Sequence, residues 1–135
     1  MSATLSPELE LGIPELDKQH QEFLTRLDGL LQAIRAGSSR DELVHTLAFL
    51  RGYVALHLAS EEALMERVGY SGLASHQQEH LVLIREMGAI EGEFRRNGPS
   101  PSLVLRVNSQ ISGWLREHIQ RADRDLATFV KSLPA

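Results

Sequence analysis

The sequence predicts an all-α protein: an antiparallel up-down-up-down four-helix bundle with an irregular N-terminal arm and a short C-terminal helical tail. Three observations carry that expectation. Apolar residues recur three and four apart in four segments, the spacing of one helix face. No segment alternates with the period of two that a half-buried strand requires. The connections are short and built from Gly, Ser, Pro and Asn, which favours antiparallel neighbours. At 135 residues the chain suits one domain over 1–135, with the arm at 1–16 and the bundle and tail at 17–131.

The arm holds Pro7 and Pro14 and has no periodicity. The first helix is expected from about Asp17 to Ala36, with Leu16, Phe23, Leu24, Leu27, Leu30, Leu31 and Ile34 on its apolar face. Ser39-Arg40-Asp41-Glu42 reads as a capping box that opens the second helix, about Asp41 to Val68. Its stripe is Leu43, Leu47, Leu50, Val54 and Leu64, and Gly69 supplies a left-handed terminator. The third helix, about Leu73 to Arg96, aligns Leu83, Met87, Ile90 and Phe94 and stops at Asn97-Gly98-Pro99. The fourth begins near Ser102, after the cap-compatible Ser100-Pro101, with Val104, Val107, Ile111, Trp114 and Leu115 in line. Leu126, Phe129 and Val130 form the tail.

Composition narrows the function. With 14 Lys+Arg against 18 Asp+Glu, a net charge of −4 and only Arg95-Arg96 adjacent, the chain has no patch for gripping nucleic acid. No apolar run is long enough for membrane insertion. Met1 to Pro7 lacks the basic and apolar regions of a secretory signal, so a cytoplasmic location is expected. The absence of Cys excludes thiolate metal sites and disulfides, whereas 6 His invite attention.

Five of those histidines lie on the apolar stripes. His20 continues the row of Leu16 and Phe23; His57 and Glu61 interrupt the run from Val54 to Leu64; His76 and His80 lead to Leu83; His118 follows Trp114 and Leu115. A buried carboxylate without a partner is costly, so the pattern needs a reason. Counted from the far ends of the four helices (Ala36 to His20, Asp41 to His57, Arg96 to His80, Ser102 to His118), each histidine stands 16 residues away. At ~1.5 Å per residue all four share one level, about 24 Å from that end. His57 and Glu61, like His76 and His80, are four apart and face the same way. Asp123 is five residues beyond His118, about 140° further round a regular α-helix, and reaches the layer only if the helix ends, bends or carries a π turn. Five imidazoles and two carboxylates exceed one tetrahedral ion and suit two ions bridged by carboxylates, with iron, zinc, copper or nickel favoured over magnesium or calcium. Glu42-Leu-Val-His45 is the sole Glu-x-x-His and lies off this level, which argues against a ferritin-like di-iron site. His45 is expected at the surface, and Glu62, Glu66, Glu117 and Asp125 on solvated faces.

These residues resemble the hemerythrin family in its bacterial single-domain form. The likeness runs from Gly12-Ile-Pro-Glu-Leu-Asp-Lys-Gln-His20, through His57-Leu-Ala-Ser-Glu61, Gly69-Tyr70 and His76-Gln-Gln-Glu-His80, to Trp114-Leu-Arg-Glu-His118 and Asp123. The resemblance implies two iron ions in an oxo- or hydroxo-bridged non-haem centre that binds O2 reversibly. It assigns His76, His80 and His118 to one iron, His20 and His57 to the other, and Glu61 and Asp123 to both as bridges. O2 would bind at the two-histidine iron, behind a dry wall of Phe23, Leu58, Trp114, Leu115 and Ile119. The chain departs from the bacterial pattern in having no Trp in the arm from Leu5 to Leu11. The implied function is O2 carriage, storage or delivery without catalysis, with an O2-consuming enzyme or a signalling protein as further partners. Its rivals are O2 or redox sensing through a partner and peroxide or nitric oxide turnover at the same centre.

Overall fold

A computed structural model describes residues 6–134. Among them there is no strand, and the chain forms four long helices. Helix α1 is Pro14–Arg35, α2 is Arg40–Val68 and α3 is Leu73–Asn97. The fourth, α4, is one continuous rod over 101–132, built of α-helical Pro101–Arg106, Trp114–His118 and Arg124–Ser132 with π-helical Val107–Gly113 and Ile119–Asp123 between them. The residues at every junction are right-handed helical, so the expected tail is the end of α4 itself. None of the helices of the described residues is long and apolar enough to cross a membrane.

The helix ends follow local chemistry. Pro14 occupies the first turn of α1, where a missing N–H costs nothing, so the helix starts three residues earlier than the sequence reading placed it. Asp17 turns back to accept the N–H groups of Leu11 at 2.8 Å and Gly12 at 3.1 Å. Ser39 accepts the Glu42 N–H at the start of α2, and Ser100 accepts that of Leu103 at the start of α4. Gly69 closes α2 at φ 69°, a left-handed conformation that costs other residues about 1–2 kcal/mol.

The core confirms most of each stripe and shifts two members. Met65 is fully buried where Leu64 was expected, and Leu103 where Val104 was; Leu64 and Val104 are half-buried at its edge. The arm is not loose over its described part. Pro7–Leu9 forms a 3-10 turn, Leu9 and Leu11 are 1 % exposed, and Arg124 donates to the carbonyls of Glu8 and Glu10. Leu5, where the tryptophan-free stretch begins, lies outside the described residues.

On α4 the buried residues Leu103, Val107, Ile111, Leu115, Ile119, Asp123 and Ala127 recur strictly every four. In a regular α-helix each such step overshoots the face by about 40°. The two π segments, with their wider i→i+5 turns, remove that drift and keep the row on one side. The second of them carries Asp123 back over His118.

Gly69→Ala should lower stability by about 1–2 kcal/mol while leaving helix content unchanged, read as a drop in the urea midpoint followed by circular dichroism.

Candidate metal centre

Real helix ends at Arg35, Arg40, Asn97 and Pro101 place His20, His57, His80 and His118 15, 17, 17 and 17 residues from the far end. One level therefore collects all seven polar stripe residues. His20, Glu61 and Asp123 are fully buried, and His57, His76, His80 and His118 are no more than 3 % exposed. The donor atoms of Glu61, His76, His80, His118 and Asp123 all lie within 4.8 Å of one another, as do those of His20, His57 and Glu61.

The two carboxylates divide their oxygens between these groups. Glu61 Oε1 is 2.5 Å from His76 Nε2 and 3.2 Å from His80 Nε2, while its Oε2 is 3.4 Å from His57 Nε2 and 3.8 Å from His20 Nε2. Asp123 Oδ1 is 2.9 Å from His76 Nε2 and 3.1 Å from His118 Nε2, while its Oδ2 is 3.1 Å from His20 Nε2. The atoms are close, yet they aim at common centres rather than along hydrogen bonds. Both oxygens of Glu61 and Asp123, both ring nitrogens of His20 and the Nε2 of His76, His80 and His118 have no hydrogen-bond partner. Buried polar groups in native proteins are almost always paired, and imidazole nitrogens and carboxylate oxygens converging in this way suit a cation. The residues fit a metal centre.

The opposite ring nitrogens of three histidines are held from behind. Gln19 Oε1 is 2.7 Å from His57 Nδ1, Glu62 Oε2 is 2.8 Å from His80 Nδ1, and Glu79 Oε1 is 3.0 Å from His118 Nδ1. Such partners fix the tautomer and turn Nε2 inward. They are supported in turn: Ser60 meets Gln19, Gln77 donates to Glu62, and Arg121 donates to both oxygens of Glu79 and to Glu117. Trp114 stacks on the His118 ring, centroids 4.5 Å apart and planes 12° from parallel.

The sequence reading missed this outer layer. Glu62 does not simply sit on a solvated face but orients His80, and Glu117 helps pin Arg121. Local spacing cannot show such pairs, because Glu62 and His80 or Glu79 and Arg121 meet from different helices. The expected wall residues Phe23, Leu58, Leu115 and Ile119 are buried in the core, and Trp114 is half-buried. His45 is exposed, as expected.

The electrostatics follow from two anions sharing one dry layer. Burial alone would push the imidazoles of His20, His76 and His118 down. The carboxylates of Asp123 and Glu61 override it and hold them up at about 9, 9 and 10. Burial wins at His57, pushed down to about 4. Burial and Glu61 both raise Asp123, but contacts with His118, His20 and His76 bring it below the usual carboxylate range. Glu61 is likewise lowered despite its burial, by His118, His20, His76 and His80.

The model of the hemerythrin HHE cation binding domain matches residues 11–130. The chain belongs to the hemerythrin family. Three bacterial hemerythrins illustrate the relation. The bacteriohemerythrin of Stenotrophomonas maltophilia is 32 % identical over 131 residues, covering 93 % of this chain and 79 % of that protein. That of Ralstonia nicotianae is 29 % identical over 130 residues, covering 93 % and 86 %. That of Methylococcus capsulatus is 27 % identical over 108 residues, covering 80 % of each. The chain thus shares a cation-binding family with these proteins, and its buried layer holds two groups of donors that could bind a metal ion.

In the metal-free protein His20, His76 and His118 titrate above their unfolded value of 6.5. Their contribution to stability is full below pH 6.5 and is lost as pH rises through 9 and 10. The thermal midpoint of the metal-free form should fall between pH 7 and 10. The metal-loaded form, whose cations replace those protons, should not follow it; calorimetry on both forms checks this.

Proposed function

We propose that this hemerythrin binds O2 reversibly for carriage, storage or delivery, at a centre of two non-haem irons held by five histidines and two bridging carboxylates. One observation carries the reading: Glu61 and Asp123 each turn one oxygen to the His76–His80–His118 group and the other to His20 or His57. A carboxylate so placed could serve two ions. The donor sets are unequal, three imidazoles against two, so an ion held by His20 and His57 would leave more room for a small ligand.

When bound, the iron pair supplies the electrons that let O2 attach and leave again. The protein's own residues do the rest. His76, His80 and His118 would hold one ion, and His20 and His57 the other. Gln19, Glu62 and Glu79 hold the rings of His57, His80 and His118 in the orientation that presents Nε2. Phe23, Leu58, Trp114, Leu115 and Ile119 keep water from the layer, which would slow irreversible oxidation.

Iron-loaded protein, reduced anaerobically and then exposed to air, should contain about two irons per chain and develop a visible charge-transfer band that vanishes when O2 is removed and returns on re-exposure. Irreversible bleaching within one cycle would overturn the reading. In the same assay His118→Ala should lose metal, while His45→Ala should keep metal and band.

A further inference from the structure

Every donor of the layer is buried, so a metal ion needs a passage through the bundle wall. One surface crevice has a residue of the layer in its wall. It is a small crevice of about 90 Å³ between the α2–α3 turn and α4, lined by Tyr70, Gly72, His76, Glu79, Arg121 and Asp125 among others. Its wall includes the buried His76, whose Nε2, on the layer side, lies 2.9 Å from Asp123 Oδ1. Its mouth carries two acids, the exposed Asp125 and the half-buried Glu79. Tyr70 lies across the turn: a methyl group on Gly72 would come within 2.7 Å of the ring, and Gly72, at φ −84°, has no other conformational need to be glycine. The Tyr70 ring is braced from the far side by Phe129, centroids 5.3 Å apart. Arg121, half-exposed, spans the rim between Glu79 and Glu117.

We propose that this crevice is the port through which a divalent cation reaches the buried centre, with Asp125 attracting the ion and Tyr70 narrowing the way. The lining suits a hydrated cation and not an apolar gas. The Asp125 carboxylate and the Tyr70 phenol offer oxygen donors to an ion shedding water, and His76 is the first imidazole it would meet. The port opens on the three-histidine group, away from the His20–His57 pair where the proposed O2 position lies. Arg121 is held by Glu79 and Glu117, so its charge is neutralised at the rim rather than set against the incoming ion.

The proposal rests on the layer being a metal centre, and its test separates the two. Metal-free protein is mixed anaerobically with Co(II) in a stopped-flow instrument, and the fluorescence of Trp114, the single tryptophan, is followed as its stacked partner His118 takes up metal. Uptake should be first order in Co(II). Asp125→Lys should slow it roughly tenfold at low salt, with the difference shrinking as salt rises. Asp41→Lys makes the same charge change near the opposite end of the bundle and should leave the rate alone. Tyr70→Ala should speed uptake and release into chelator by the same factor, so that the final Co(II) content stays that of the parent. A port alters both directions equally, whereas a merely structural residue would change affinity. Equal slowing by Asp125→Lys and Asp41→Lys, or a parent rate independent of Co(II) concentration, would overturn the port while leaving the metal centre standing. Absence of any Co(II) binding would overturn the metal reading and the port with it.

Discussion

Two carboxylates, Glu61 and Asp123, are buried in one layer, and the remainder of the structure answers to that burial. An ionised carboxylate taken from water into a protein interior costs several kcal/mol unless charge and hydrogen bonds compensate. Two such groups facing a common centre cannot be compensated by packing. Without metal, Asp123 and Glu61 favour protons on His20, His76 and His118, whose imidazoles they hold above the ordinary value. Cations bound there would take the place of those protons. The bundle therefore encloses negative charge that either protons on His20, His76 and His118 or bound cations would balance.

Geometry keeps that charge in place. The α2 pair His57 and Glu61 and the α3 pair His76 and His80 need only regular helix. The α4 pair His118 and Asp123 needs a departure from it, and the π turn at Ile119–Asp123 supplies one. A π turn sacrifices favourable α-helical hydrogen bonding, and such turns persist where function requires them. Here the return is a second carboxylate that touches His76, His118 and His20 at once. Around the layer, Gln19, Glu62 and Glu79 convert three rotatable rings into fixed donors, and Arg121 fixes Glu79. Metal affinity and ring orientation are thus decided by residues at the edge of the core as much as by the donors inside it.

Much of this was legible in the sequence because it is periodic. Four stripes at helical spacing disclosed four helices, and histidines replacing leucines on those stripes at equal distances from their turns disclosed the layer. Asp123 was legible by spacing only conditionally, because the row that recurs every four from Leu103 to Ala127 stands out only once the structure shows which residues are buried. The start of α1 was placed three residues late because Pro14 was grouped with the irregular arm, whereas a proline suits the first turn of a helix. Met65 and Leu103 were missed because neighbouring leucine and valine offered equally good apolar stripes, and the choice between them is made by interhelical packing. Glu62, Glu79 and Arg121 were out of reach for another reason. Their partners lie 18, 39 and 42 positions away, and charged residues on a helix flank read as solvated until the neighbouring helix is in place.

The central claim is that Glu61 and Asp123 hold two metal ions between them. Anomalous diffraction from crystals of the iron-loaded protein, recorded on both sides of the iron absorption edge, tests it directly. Two anomalous peaks in each chain are predicted, one among His76, His80 and His118 and one beside His20 and His57, with Glu61 and Asp123 each contacting both. A single peak, or peaks elsewhere than this layer, would contradict it.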